Sequence, residues 1–311
     1  MASVGHQSPG LWAHPRDASQ HYDDPAHWVA LAQLLERGLF AGVFIADVLG
    51  VYDVYQGKPD VALRHAVQVP LLDPLALVPL MAQATTHLGF GVTCALTYEH
   101  PVPFARRIST LDHLTGGRVG WNIVTGYLDS AARNLGLDKQ LAHDDRYDLA
   151  DDYLDVVYKL WNLSWDDDAV QRDKARRVFT DPAKVHPIAH QGPHYTVPGI
   201  HVSAPSPQRT PVLYQAGTSS RGLAFAARHA ECVFVSGPTP AIVAGYVGKL
   251  RSALLAAGRP AGDQLIYAQA LVITGATEAL AQAKLADYRR YINLEASLAL
   301  LSGWTGVDYS R

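Results

Sequence analysis

From Phe40 onward, short apolar runs alternate with segments whose hydrophobic residues recur every three or four positions. That alternation constrains the chain most, because buried strands separated by amphipathic helices build a parallel sheet with helices packed on it. Six strands are expected, over residues 40–46, 88–95, 118–124, 211–215, 232–235 and 264–274. Helices are expected over residues 25–38, 74–87, 101–114, 146–161, 240–257 and 277–301, with another after Ser220 that ends near His229. Pro25 and Asp73-Pro74 suit the starts of the first two. A closed (β/α)8 barrel needs eight strands. An open doubly wound sheet is the alternative, and periodicity alone leaves both open.

Tyr98 to Leu135 carries the densest signal. Phe104, Ile108, Leu111 and Leu114 fall on one helical face, with Arg106, Arg107 and Asp112 on the outer one. Gly116-Gly117 breaks the helix, and the strand that follows ends at Asn122 and Thr125. Polar residues at the C-terminal end of a buried strand mark the ligand face of an α/β protein. Asp47 and Thr93 hold equivalent places after the first two strands. After the fourth strand, Gly217-Thr218-Ser219 turns into a helix. Its free backbone N–H groups and hydroxyls suit a phosphate, although Ser219 also suits plain helix capping. His143 and Tyr147, four residues apart, share a face at the start of the 146–161 helix. They can donate to a phosphate or ring oxygen, or be a surface His and a core Tyr.

Several classes are excluded. The 311 residues carry 26 Lys and Arg against 29 Asp and Glu, without a basic cluster, so nucleic acid is not an expected partner. No apolar run reaches membrane-spanning length and no signal peptide is visible, so no membrane partner is expected. The two cysteines, Cys94 and Cys232, fall in expected strands and suit thiols in the cytoplasm. His186, His190, His194 and His201 lack metal-ligand spacing, and no metal is expected. Neither a G-x-S-x-G elbow nor a dinucleotide fingerprint is present. Residues 165–210 form a long excursion rich in Pro and His within a single domain spanning 1–311; such loops often lie over a site.

Tyr98-Glu99-His100-Pro101, Thr110-Leu111-Asp112, Trp121-Asn122-Ile123-Val124-Thr125, His143-Asp144-Asp145-Arg146-Tyr147 and Gln215-Ala216-Gly217-x-Ser219 together resemble the bacterial luciferase-like flavin monooxygenases. The similar branch is that of nitrilotriacetate and dibenzothiophene sulfone monooxygenases. The resemblance implies a (β/α)8 barrel and a homo-oligomer. It also implies FMN as FMNH2, delivered by a separate NAD(P)H:flavin reductase, with O2 as co-substrate and one oxygen atom inserted into a small organic molecule. Position by position, it places Asp47, Thr93, His143, Tyr147 and Ser219 at FMN, joined by Asn122 and Thr218. His6, His14 and Tyr52 lie on loops expected to face the flavin, as candidate substrate or peroxide contacts. The substrate pocket is expected to draw on loops after the strands and on the excursion. The family has a strand before the segment matching Val4-Gly5-His6 and continues past Gly306-Val307-Asp308. The expected fold is therefore an α/β TIM-type barrel truncated of its first strand, its last strand and its C-terminal helices. An F420-dependent reductase on a related barrel and a non-catalytic flavin-binding fragment are the rival readings.

Overall fold

The computed structural model describes residues 1–217 and 219–311. The first half runs α1 (Pro25–Arg37), β1 (Gly42–Ile45), α2 (Asp60–Arg64), α3 (Pro74–Gln83), β2 (Gly89–Ala95), α4 (Pro101–Thr115), β3 (Val119–Val124) and α5 (Asp129–Asn134). The long α6 (His143–Asn162) leads into the excursion, which folds as β4 (Val170–Asp173), β5 (Val178–Thr180), β6 (His190–Gln191) and β7 (Thr196–Val197). The chain then passes through β8 (Val212–Gln215), α7 (Ser220–His229), β9 (Cys232–Val235), α8 (Pro240–Ala256), β10 (Leu265–Ala268), α9 (Glu278–Arg289) and α10 (Leu294–Thr305). The local signals act as their chemistry dictates. Asp24 and Asp73 cap α1 and α3 through Ala26 N and Leu75 N, each followed by a proline in the first turn. Gly116, at φ 64°, closes α4 in the left-handed conformation.

Six strands form one parallel sheet in the order β1-β2-β3-β8-β9-β10. Side chains alternate across it. Trp121 and Ile123 of β3 point into the helical layer, where Trp121 meets Phe104 of α4 at 4.5 Å and Tyr153 of α6 at 6.1 Å between ring centroids. Gly120, Asn122 and Val124 face the other way. On that concave side Phe44 of β1 reaches Phe234 of β9, at 4.5 Å between centroids, although three strands separate them in the sheet. The sheet is therefore curled as part of a barrel. Gly91 and Gly120 make room inside the curl: a Cβ on Gly120 would lie 2.5 Å from the Tyr214 ring, and one on Gly91 3.0 Å from Phe44. Cys94 and Cys232 are free thiols in β2 and β9, which burial pushes up to about 12 and about 11. No helix among the described residues is long and apolar enough to cross a membrane.

Four expectations are corrected. The strand expected over 264–274 stops at Ala268, because its neighbour β9 ends at Val235; beyond the bond from Gln269 N to Val235 O, no strand among the described residues pairs with it, and Leu271 and Val272 are exposed. The helix expected over 277–301 is two helices. Asn293 ends the break between them by capping α10 through Ala296 N, while its own N–H donates to Pro9 O. Asp112 is buried rather than outward: its carboxylate accepts Gln208 N at 2.8 Å and Gln208 Nε2 at 2.6 Å. Leu114, assigned to the apolar face, is exposed.

The excursion forms two small antiparallel hairpins, β4-β5 and β6-β7. A buried clasp fixes the second to α6. Asp152 Oδ1 lies 2.9 Å from His190 Nε2, and Asp152 Oδ2 accepts His194 N and Tyr195 N at 2.7 and 2.9 Å. Lys159 Nζ lies 2.9 Å from the other ring nitrogen of His190. Gly192 is required there, since a Cβ would fall 1.9 Å from Asp152 Oδ1.

Candidate active site

The concave face opens into a cavity of about 700 Å³ at the C-terminal ends of the strands. Asp47, Thr93 and Asn122 all line it. Thr93 and Asn122 are register partners on β2 and β3, and Asn122 Nδ2 donates to Thr93 Oγ1 at 2.9 Å. That bond fixes the amide with Oδ1 buried and without a partner, an acceptor awaiting a donor. Aromatic rings of Phe44, Phe234 and Tyr267 supply the walls, and Tyr127, Trp304 and Gln68 complete them.

His6 also lines the cavity, and its Nδ1 is buried without a partner. Burial, with the positive chain terminus nearby, lowers this imidazole to about 4, so it is neutral at physiological pH. Tyr52 stands behind the wall, fully buried, and touches the cavity only through neighbours: its hydroxyl donates to Gln68 Oε1 at 2.8 Å and meets the Tyr127 hydroxyl at 2.5 Å. His14 does not reach the cavity. It is buried beside Asp287, at 3.0 Å, and packs edge-on against Tyr288 and Tyr291. None of residues 165–210 lines the cavity either, because the excursion is clasped to the outer surface of α6 and α4.

Asp47 follows β1 directly. Burial raises its carboxyl to about 6, with Asp73 adding to the rise and the Val48 N–H and the chain terminus opposing it. A carboxyl raised on folding holds its proton in the folded state between its unfolded value of 3.8 and about 6. The folded state is therefore favoured as pH falls through that window and loses stability as pH rises across it. Asp47→Asn is expected to flatten this dependence and to gain up to about 3 kcal/mol at neutral pH, taking two pKa units at about 1.4 kcal/mol each. Thermal melts of both proteins across the window check it; parallel curves would refute it.

His143, Tyr147 and Ser219 come together beside the cavity, joined to it through Ala216. Ser219 Oγ lies 3.3 Å from His143 Nε2, and the His143 and Tyr147 rings are 5.2 Å apart. Ser219 caps α7, accepting Gly222 N at 3.0 Å, and so keeps its O–H to donate. Burial pushes the Tyr147 phenol above its ordinary value, keeping it a donor despite the opposing charges of Arg146 and Arg221. Two glycines shape the space between these groups. A Cβ on Gly217 would lie 3.2 Å from Tyr147 Oη, and one on Gly222 2.9 Å from it and 3.0 Å from Ser219 Oγ. Thr218 lies outside the described residues. Hydroxyl donors, an imidazole and a helix N-terminus around a floor of glycine fit a phosphate. The orphan acceptor of Asn122, one strand end away, fits the donor edge of a flavin ring. Among the described residues, no three His, Cys, Asp or Glu side chains gather as a metal site.

Sequence reasoning missed Tyr127, Gln68 and Trp304. Tyr127 had a usable signal, as it follows Gly126 just past the end of β3. Gln68 and Trp304 arrive from irregular chain and from α10, where no local pattern points to the cavity.

A parallel curled sheet with a cavity at the C-terminal ends of its strands is the architecture of TIM-type α/β enzymes. The chain belongs to the luciferase-like monooxygenase family, whose sequence profile matches residues 6–304. It is 52% identical over 311 residues to the dimethyl-sulfide monooxygenase of Hyphomicrobium sulfonivorans, covering 100% of this chain and 65% of that protein. It is 51% identical to the long-chain alkane monooxygenase of Geobacillus thermodenitrificans, covering all of this chain and 71% of that one. A crystal structure of a long-chain alkane monooxygenase superposes with a TM-score of 0.98, covering 100% of this chain and 72% of that chain. The dibenzothiophene-sulfone monooxygenase of Rhodococcus erythropolis is 40% identical over 96% of this chain and 66% of its own length. The chain thus spans about two thirds of the length of the curated relatives it matches.

Proposed function

We propose that this chain is the oxygenating component of a two-component monooxygenase: it binds FMNH2 supplied in the cytoplasm by a separate NAD(P)H:flavin reductase and inserts one atom of O2 into a small neutral substrate. The observation that carries the reading is the paired site. A cradle of Ser219, Tyr147 and His143 adjoins a cavity in which Asn122 presents an unpaired acceptor. A phosphate at one end and a hydrogen-bonding ring at the other describe FMN. Family members generally use reduced flavin and O2, and the reduced flavin supplies the electrons that activate oxygen. The chain's own residues bind, orient and exclude water. Asp47, Thr93 and Asn122 meet the polar edge of the ring, and Phe44, Phe234 and Tyr267 keep the space beside it dry.

The lining also favours a substrate class. Among the described residues it contains no Lys or Arg side chain, which leaves a carboxylate without a guanidinium or side-chain ammonium partner there. Apolar and aromatic walls suit neutral sulfides, sulfones or hydrocarbons. The curl of the sheet further supports a (β/α)8 barrel. Among the described residues, β1 and β10 have no outer neighbour, and two further strands between these edges would close it.

The test is anaerobic titration with photoreduced FMN, followed by isotopically labelled O2 and a panel of neutral and anionic substrates. A neutral product carrying one labelled oxygen is the expected result. Retention of F420 in place of FMN, or FMN binding with no turnover of any substrate, would favour the two rival readings instead.

A further inference from the structure

Arg221 sits in the first turn of α7, where a helix dipole disfavours a cation. It is nonetheless held firmly. Its Nη2 donates to Asp148 Oδ1 at 2.9 Å and to Asp151 Oδ2 at 2.7 Å, both on α6. Its guanidinium carbon lies 5.6 Å from the centroid of the Tyr147 ring, also on α6. The same ring packs edge-on against Phe225 of α7, at 5.3 Å. Asp151 is held in turn by His229 Nε2 at 3.0 Å, and His229 Nδ1 lies 3.2 Å from the Tyr158 hydroxyl. Burial would raise the Asp151 carboxyl, but the hydrogen bonds from His229 and Arg221 bring it down to about 2, so it stays charged beside Arg221. Every one of these contacts joins α6 to α7. Those are the two helices whose first turns carry His143 and Tyr147 on one side and Ser219 and Gly222 on the other.

Exposed ion pairs contribute little to stability, and Asp148 is 65% exposed. What distinguishes Arg221 is its stacking on Tyr147, the one ring whose hydroxyl reaches between Gly217 and Gly222. We propose that Arg221 is a positioning residue for the phosphate end of the flavin, fixing the Tyr147 ring so that its hydroxyl points into the glycine cradle. The fork of Asp148 and Asp151 sets the guanidinium plane, and that plane sets the ring. The inference rests on the FMN reading above and concerns the phosphate only, so the ring end of the ligand is unaffected.

The experiment compares oxidised FMN with riboflavin, which lacks the phosphate, as probes of the purified protein. Flavin fluorescence gives both dissociation constants for wild type, Arg221→Met, Arg221→Lys, Tyr147→Phe and the Tyr147→Phe/Arg221→Met double variant. Arg221→Met is expected to weaken FMN about tenfold, from the loss of stacking and orientation, and riboflavin less than about twofold. Arg221→Lys, which keeps the charge but not the planar fork, should bind FMN about threefold more weakly than wild type and riboflavin as wild type does. The double variant should bind FMN no worse than Tyr147→Phe alone. If Arg221→Met does not fold, the threefold selective loss in Arg221→Lys carries the test. Equal losses for both flavins, multiplying losses in the double variant, or wild-type FMN affinity in the foldable Arg221 variant would overturn the proposal. A wild-type protein that does not prefer FMN to riboflavin would instead remove the FMN reading beneath it, and the proposal with it.

Discussion

Gly222→Ala is expected to weaken FMN binding about 100-fold while leaving riboflavin binding unchanged, because two donors lose the place where they meet a phosphate, each worth about 1.5–3 kcal/mol to a charged acceptor. The new Cβ would lie 2.9 Å from Tyr147 Oη and 3.0 Å from Ser219 Oγ. Both contacts are with side-chain ends rather than backbone, so the hydroxyls of Tyr147 and Ser219 give way first, the latter at the expense of its cap on Gly222 N. Gly222 is within α7, where alanine suits the helix better than glycine by about 1 kcal/mol. That gain offsets a weakened Ser219 cap, so the variant should be about as stable as wild type and yet poor at holding FMN. Parallel melts and flavin titrations measure the two effects independently. Unchanged FMN affinity would show that these groups do not hold the phosphate.

Asp152→Ala should cost about 3–5 kcal/mol of stability, because three hydrogen bonds to one buried carboxylate are lost together and a donor left unpaired costs about 1–3 kcal/mol. Asp152 serves three groups at once: the His190 ring and the N–H groups of His194 and Tyr195. Its loss leaves two partly buried backbone donors and the buried His190 imidazole without an acceptor, with Lys159 still pressed against His190. None of these residues lines the cavity, so the flavin affinity of the folded fraction should stay within about twofold of wild type. Chemical denaturation with and without FMN checks both statements. A midpoint shift worth less than about 1 kcal/mol would show that the clasp is solvated in solution.

Most of the framework was legible because its signals are local. The strands over 88–95, 118–124 and 232–235 are short and mostly apolar, and the caps at Asp73 and Gly116 announce themselves. What the sequence hid depends on distant partners. Asp112 looked like a surface carboxylate until Gln208, 96 residues away, closed on it. The run after Ala268 looked like strand, but β9 is too short to pair with it. The site divides along the same line. Asp47, Thr93 and Asn122 line the cavity because they lie toward strand ends, and parallel strand ends point together. His14, chosen only for lying on an early loop, turned out to pack against α9. Gln68 and Trp304 were invisible because only the tertiary fold brings them to the cavity.

The hairpin β4-β5 turns at residues 174–177, all exposed, and none of its residues lines the cavity. That separation makes the tip a practical handle. A fluorophore, affinity tag or surface tether attached at Lys174 or Ala175 would touch none of the residues that line the cavity.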